Sequence, residues 1–197
     1  MLQQIYQPLI DTLTYLKRFS RIIRIKENEL ELTCTRTALV NLASFVKHHT
    51  LIQGKLLMEL TAIDRPERPY RFQVIYFILS IAWNTRIKLV TQTNDILPLY
   101  STTAVYNCAD WLEREVFDLF GIFFIDHYDL RRILTDYGFI GHPLRKDFPL
   151  TGFVDVAYDD IKKLLVYEPV EVTQSFRKFN FSHAWWQTTP ETLKLGV

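Results

Sequence analysis

The chain has 197 residues, 48% of them apolar and 14% aromatic, with 23 Lys and Arg against 22 Asp and Glu. That length fits one domain, or one domain with a long extension, and a compact chain of this size buries about 70% of its unfolded surface. A net charge of +1 leaves no electrostatic footprint for nucleic acid or an anionic membrane. Two isolated cysteines, Cys34 and Cys108, and no Cys-x-x-Cys argue against a locally spaced zinc or iron–sulfur site and for free thiols in a reducing compartment. The longest apolar run, Val74 to Trp83, is too short for a membrane span, which needs about 20 residues. The opening MLQQIYQPLI has neither the charged and apolar regions of a secretory leader nor the Arg-rich helix of an organelle import sequence. The expectation is a soluble or peripheral protein made where it works.

Ile5, Leu9, Leu13 and Leu16 predict an amphipathic helix from Ile5 to Phe19, with Lys17 and Arg18 well placed at its C-terminal end. RIIRIK and ELELTC alternate on either side of the polar Lys26-Glu27-Asn28-Glu29, which predicts a hairpin. Thr37 to His48 puts Leu39, Leu42, Ala43 and Val46 on one helical face. KLLMELTAID and RFQVIYFILS are the next two strands. The second is apolar on both faces and is therefore expected at the centre of the sheet. RIKLVTQT alternates again, as a strand with one wet face. Helix, two strands, helix, three strands predicts an α+β fold: a mixed sheet with helices on one side.

After Asn94 the texture changes. DWLEREVFDLFG predicts a short helix capped by Asp110, with Glu113 at the capping-box position and Gly121 as the stop. HYDLRRIL predicts a second short helix capped by Asp126. From Gly138 periodicity fails and Pro143, Pro149, Pro169 and Pro190 intervene, yet Phe148, Phe153, Tyr158, Tyr167, Phe176, Trp185 and Trp186 make the segment too aromatic for ordinary disorder. Ordering such a segment costs roughly 1–2 kcal/mol per residue, more than its own sparse contacts offset. The domain organisation read from this is an α+β domain over 1–137 and an extended arm over 138–197 that orders along a partner protein.

Three chemical readings compete. Gly138-Phe139-Ile140-Gly141 has the outline of the Gly-x-x-Gly loop that clamps an RNA backbone, but aromatic and aliphatic residues fill it and a proline follows. An RNA-binding α+β module is the alternative function that this suggests. The phosphate-cradling glycine motifs are absent. The acidic run Glu113, Glu115, Asp118, Asp126 and Asp129 could supply a hydrolytic carboxylate pair. It reads better as acids favoured in a first helical turn with an Arg114–Asp118 pair, mixed with salt bridges to Arg131, Arg132 or a partner. His48, His49, His127, His142 and His183 show no ligand or nucleophile spacing and read as solvated or core histidines. Trp185-Trp186 reads as an anchor in a protein groove rather than at a membrane.

Trp111 to Phe153, WLEREVFDLFGIFFIDHYDLRRILTDYGFIGHPLRKDFPLTGF, resembles the signature of the thirty-kilodalton subunit family (subunit 9 in its mitochondrial form) of respiratory NADH:quinone oxidoreductase, complex I. AIDRPERPYRFQVIYFILS and YEPVEVTQSFRKFNF are similar to its upstream and tail blocks, so the resemblance spans roughly Leu56 to Phe181. Arg65 stands where the family often has an aromatic, Pro69 is an extra proline, and Phe117 and Leu119 replace the more usual Trp or Tyr and Met. The resemblance implies a peripheral-arm subunit with no catalytic residue, metal or cofactor of its own, inside a complex that carries FMN, iron–sulfur clusters and ubiquinone. It implies as chief partner the forty-nine-kilodalton quinone-site subunit, no nucleic acid and no membrane span. The implied place is the matrix side of the mitochondrial inner membrane, and the length and absent import sequence suggest an organelle-encoded chain, with the bacterial cytoplasmic face as the alternative. The residues expected at partner interfaces are Glu113, Arg114, Glu115, Asp118, Arg131, Arg132, His142, Arg145, Lys146, Asp147, Phe148, Trp185 and Trp186.

Overall fold

The computed structural model of the chain describes residues 20–26, 29–177 and 179, so the helix expected over Ile5–Phe19 and the Trp185-Trp186 pair lie outside the described residues. The alternating segments form one five-stranded mixed sheet in the order β1-β2-β5-β4-β3. Strand β1 (Ser20–Lys26) and β2 (Glu29–Cys34) are the expected antiparallel hairpin. Strands β3 (Leu56–Asp64), β4 (Phe72–Ser80) and β5 (Thr85–Thr93) form an antiparallel meander, and β5 then lies parallel to β2. The middle strand is therefore β5, the strand with one wet face, and the doubly apolar β4 is its neighbour. β4 nevertheless has strand partners on both edges, β3 and β5, as expected of an interior strand. On β5 Arg86 is exposed and Lys88 half-buried, and Lys88 pairs with Glu29 on β2.

One face of this sheet is the core. Cross-strand neighbours Leu30, Ile87, Ile78 and Leu57 form one row, and Leu32, Leu89, Tyr76 and Leu60 the next. All eight are buried. Helix α1 (Leu39–His48), preceded by a 3-10 turn at Arg36–Ala38, buries Leu39, Leu42, Ala43 and Val46, the four residues that its periodicity singles out. They join the same cluster as the inner sheet face, with Val116 and Phe120 of helix α2 (Ala109–Phe120). Gly54 sits where helix and sheet touch: a Cβ there would stand 2.7 Å from Val46 Cγ1 and 2.9 Å from Ile78 Cγ2. The Tyr106 hydroxyl donates to the Gly54 carbonyl at 2.7 Å. On β2 Cys34 is buried, which pushes its thiol up to about 12.

Helix α2 ends at Gly121 in the left-handed conformation, φ 74°, as expected of a C-terminal glycine. Its start differs from the expectation. Cys108 is the residue before the helix, no side chain caps it, and Asp110 lies in the first turn, where a carboxylate suits the positive end of the helix dipole. Short strands β6 (Leu99–Tyr100) and β7 (Phe124–Ile125) pair in parallel on either side of it in sequence. The helix expected over His127–Leu134 is absent: those residues are irregular, and Asp126 has φ 60° instead of acting as a cap. The first compact unit runs through Gly152 and a second begins at Phe153. The second contains one hairpin, β8 (Val154–Asp159) and β9 (Leu164–Pro169), turned by Asp159, whose Oδ1 accepts the N–H groups of Ile161 and Lys162.

Leu89 is fully buried on the middle strand, so Leu89→Ala should cost about 2–5 kcal/mol. Urea denaturation measures it, with exposed Met58→Ala as the control; a loss for Leu89→Ala no larger than the control's would overturn this placement of the core.

Candidate functional site

The acidic helix α2 turns its carboxylates inward. Glu113, with no exposed side-chain surface, accepts hydrogen bonds from the Ser101 hydroxyl (2.6 Å), the Thr102 N–H (2.7 Å) and the Thr102 hydroxyl (2.7 Å). Burial pushes its carboxyl above the ordinary value, and these three donors partly offset that. His127 Nε2 lies 3.8 Å from the same carboxylate and faces the carbonyl and carboxylate of Asp110 at 3.3 and 3.4 Å. Its Nδ1 accepts the Asp129 N–H, so the ring proton sits on Nε2. Glu113 thus ties the loop after β6 to the helix, in place of closing a capping box on its own turn.

Asp118 does the same one turn later. Its Oδ2 accepts three successive backbone N–H groups, Ile133 (3.2 Å), Leu134 (2.8 Å) and Thr135 (2.9 Å), and its Oδ1 accepts the Thr135 hydroxyl at 2.7 Å. This explains the missing second helix: amides 133 and 134 would have to point at carbonyls four residues back, and the carboxylate takes them instead. Burial opposes the Asp118 charge, but these donors outweigh it and hold the carboxyl below its usual value. Arg132 stands 3.6 Å away and also donates to the Gly141 carbonyl. Arg114 does not pair with Asp118 as i, i+4 spacing suggests. Its guanidinium lies over the Trp111 ring and its Nε donates to the Arg131 carbonyl. Arg131 pairs with Asp129 at the surface, and Glu115 is half-exposed.

The run His142–Phe148 then closes the C-terminal end of α2. A helix leaves its last four carbonyls without partners. Three of them are met here: Asp118 O by His142 Nδ1 (2.9 Å), Leu119 O by the Leu144 N–H (3.1 Å) and Phe120 O by Arg145 Nε (2.6 Å). Burial, with Arg145 and Arg132 nearby, holds the His142 imidazole below its ordinary value, which suits a neutral ring with its proton on Nδ1. Gly121 is required for this closure. Besides its positive φ, a Cβ there would fall 2.5 Å from Arg145 Nη2 and 2.6 Å from His142 Nε2.

The same run is fastened to the sheet. Buried Asp64, at the end of β3, receives Arg71 at 2.7 Å through both oxygens and the Lys146 N–H at 2.7 Å. Arg71 also holds Asp147 at 3.0 Å and Arg145 holds Asp95 at 2.8 Å. Both guanidiniums lie about 5 Å from the Phe72 ring centre. The Arg71 hydrogen bond holds the Asp64 carboxyl below its usual range. Phe148 packs on Phe139 and against Gly141. The Gly-Phe-Ile-Gly loop is therefore committed to internal contacts: Arg132 holds the carbonyl of its second glycine and Phe148 fills the space beside it. Of the residues expected at an interface, Glu113, Asp118, Arg114, Arg132, His142, Arg145 and Phe148 make this internal framework. Arg131, Lys146 and Asp147 are exposed on it. Asp64, Arg71, Asp95, Ser101 and Thr102 were not singled out by sequence. An acid ending one apolar strand and an arginine opening the next, seven residues on, was the available signal for the first two.

Several large apolar side chains face out beside these charges. Tyr128 is 99% exposed, Tyr137 95% and Ile140 88%, with Trp111, Phe123, Leu134 and Leu150 also exposed. Among the described residues no three His, Cys, Asp or Glu side chains are grouped so as to hold a metal ion, and no described helix is long and apolar enough to cross a membrane.

The chain is thus an α+β domain whose buried acids hold its own loops and which exposes Trp111, Phe123, Tyr128 and Tyr137. Residues 32–154 match the family described as the respiratory-chain NADH dehydrogenase 30 Kd subunit, and the chain belongs to that family. It is 45% identical, over 92% of its length and 67% of the relative's, to a probable NADH-ubiquinone oxidoreductase 30.4 kDa mitochondrial subunit of Candida maltosa. It is 50% identical, over 82% of its length and 79% of the relative's, to NADH-ubiquinone oxidoreductase subunit 9 of Reclinomonas americana. Against an NADH-quinone oxidoreductase subunit of Parvibaculum lavamentivorans the identity is 48%, over 80% of this chain and 78% of that one. A chain of the membrane-bound sulfane sulfur reductase, an archaeal respiratory membrane complex, shares the fold at TM-score 0.62 and 20% identity, over 73% of this chain and 85% of that one.

Two outcomes test the framework. Asp118→Ala strands three amides and a hydroxyl, and should cost about 3 kcal/mol or more and raise proteolysis within residues 127–137, while Glu115→Gln changes neither. The acid limb of stability is the second. Asp64 and Asp118 have lowered folded values, so the stability they supply is present above their unfolded value, about pH 4, and lost as pH falls through the folded ones. Glu113, with a raised value, contributes in the opposite sense. Asp118→Asn should flatten the fall in urea midpoint between about pH 5 and 2; an unchanged slope would mean that the carboxylate is not held as described.

Proposed function

We propose that the chain is a non-catalytic core subunit of the peripheral arm of respiratory complex I, and that it supports the forty-nine-kilodalton quinone-site subunit. In this reading FMN, the iron–sulfur clusters and ubiquinone are held by other subunits, and the complex couples NADH-to-ubiquinone electron transfer to proton pumping. The chain sits on the matrix side of the inner membrane. The arm along the partner is residues 153–197, Trp185 and Trp186 included, because residues 138–152, read from sequence as part of it, are fastened to helix α2 and the sheet within the first unit.

The observation that carries the reading is the pairing of a fixed backbone with outward apolar side chains. Asp118 takes the amides of residues 133–135 and Arg132 the carbonyl of Gly141, and Leu134, Tyr137 and Ile140 in that stretch are exposed. A lone soluble protein rarely spends fixed backbone on presenting such side chains to water. Aromatic anchors in a preorganised frame are what a permanent interface uses. Exposed Arg131, Lys146 and Asp147 supply the polar rim.

Tyr137→Asp with Ile140→Asp tests this. Incorporation of the chain into the complex, read on native gels with NADH–quinone activity, should fall about tenfold or more. The urea midpoint of the isolated chain should hold, since surface changes stay within about 0.5 kcal/mol. Normal incorporation of the double variant would count against this surface as the contact.

A further inference from the structure

His142 closes helix α2 with a ring that is placed for one proton and badly placed for two. Its Nδ1–H donates to the Asp118 carbonyl at 2.9 Å, so a second proton enters at Nε2. Nε2 and the Arg145 guanidinium crowd one spot: the point where a Cβ on Gly121 would stand is 2.6 Å from His142 Nε2 and 2.5 Å from Arg145 Nη2. Arg145 is held there, its Nε donating to the Phe120 carbonyl at 2.6 Å and its Nη1 paired with Asp95 at 2.8 Å. Arg132 donates to the carbonyl of Gly141, the residue before His142. The acid nearest the ring, Asp118, is already committed to the amides of residues 133–135 and the Thr135 hydroxyl. Burial and the two arginines oppose a charge on the ring, while the Asp118 carbonyl and carboxylate favour it; the opposition wins. The far end of the same run is anchored differently. There the Lys146 N–H reaches Asp64 and Asp147 reaches Arg71. Arg71 holds both carboxyls below their usual range, so this anchor stays charged where a histidine titrates.

We propose that His142 is a pH-sensitive latch: as pH falls from about 7 to about 5 a second proton enters its ring and frees the His142–Leu144 end of the run from α2, while the Lys146–Asp147 end stays on the sheet. The second proton sets a new N–H and a positive charge against Arg145 Nη2, and like charges in a partly dry site repel strongly. The sign follows from linkage. The open run takes the proton at the ordinary histidine value and the closed run only below it. Closure is therefore complete above about pH 7 and is lost as pH falls through about 6.5 towards the closed-run value. Opening turns the carbonyls of Asp118 and Leu119 over to water, which replaces the lost donors, so the event stays local. The inference concerns the domain by itself and stands apart from the reading of the chain as a complex I subunit.

Amide exchange of the full chain, followed residue by residue by NMR from about pH 7 to about pH 5 and corrected for the intrinsic rate, reads both ends of the run. The Leu144 N–H, bonded to the Leu119 carbonyl at 3.1 Å, should lose protection severalfold as pH falls, at most about tenfold per pH unit, the limit for one linked proton. The Lys146 N–H, bonded to Asp64 at 2.7 Å, and the amides of β5 should keep theirs. In His142→Asn the side-chain amide still donates to Asp118 but cannot take a charge, so Leu144 should stay protected throughout. His127, which faces Asp110 and Glu113 on the first turn of α2, is unchanged in that variant, as is Glu113, and an effect of either would persist in it. Should the variant fail to fold, the His142 ring of the wild type decides: titration below about 6.5 supports the latch. Leu144 protection that does not fall, loss at Lys146 together with Leu144, the same loss in His142→Asn, or a ring that titrates at or above about 6.5 overturns it.

Discussion

Asp118 is the point on which the domain's outer layer turns. A carboxylate on a wholly buried side chain would ordinarily be a liability, since removing a charge from water costs several kcal/mol unless it is compensated. Here compensation is complete enough to lower the acid's proton affinity. Four donors from residues 133–135 converge on two oxygens, and the carbonyl of the same residue receives His142. One residue thereby fixes the segment that follows β7 and the segment that follows Gly141. Asp64 repeats the arrangement on the sheet, with Arg71 and the Lys146 amide as donors. Together the two acids hold the His142–Phe148 run between helix and strand.

This use of charge sets what remains for the surface. Glu113, Asp118 and Asp64 are occupied in holding irregular backbone, while Tyr128, Tyr137 and Ile140 project beside the exposed Arg131, Lys146 and Asp147. Irregular loops are where backbone polar groups most need partners, and fixing them with buried acids gives a rigid frame without regular secondary structure.

Much of the fold was legible because periodicity reports burial directly. Leu39, Leu42, Ala43 and Val46 were placed correctly on α1, and the β1–β2 hairpin and Gly121 stop followed from local signals alone. The errors came where a distant group overrode a local rule. Asp110 and Glu113 looked like a cap and a capping box, but Ser101 and Thr102 claim Glu113. His127–Leu134 looked helical, but Asp118 claims its amides. Strand order was hidden for a related reason: hydropathy tells how many faces are dry, while the middle position of β5 depends on an edge that β2 supplies from far upstream. Of the candidate site, the family signature was readable in full, but the inward role of its acids was not, because spacing on one helix says nothing about which loop folds over it.

That position of β5 has a consequence for how the chain is made. The hairpin β1–β2 and the meander β3-β4-β5 can each form from neighbouring sequence, yet the core rows from Leu30 to Leu57 exist only once β5 joins β2. Until Thr93 has emerged from the ribosome, the early hairpin keeps an open strand edge and an apolar face. Sheets closed by such long-range pairing form slowly, and their halves are prone to pair with the wrong neighbour. For this chain the hazardous interval lies in synthesis, before any subunit is there to receive it.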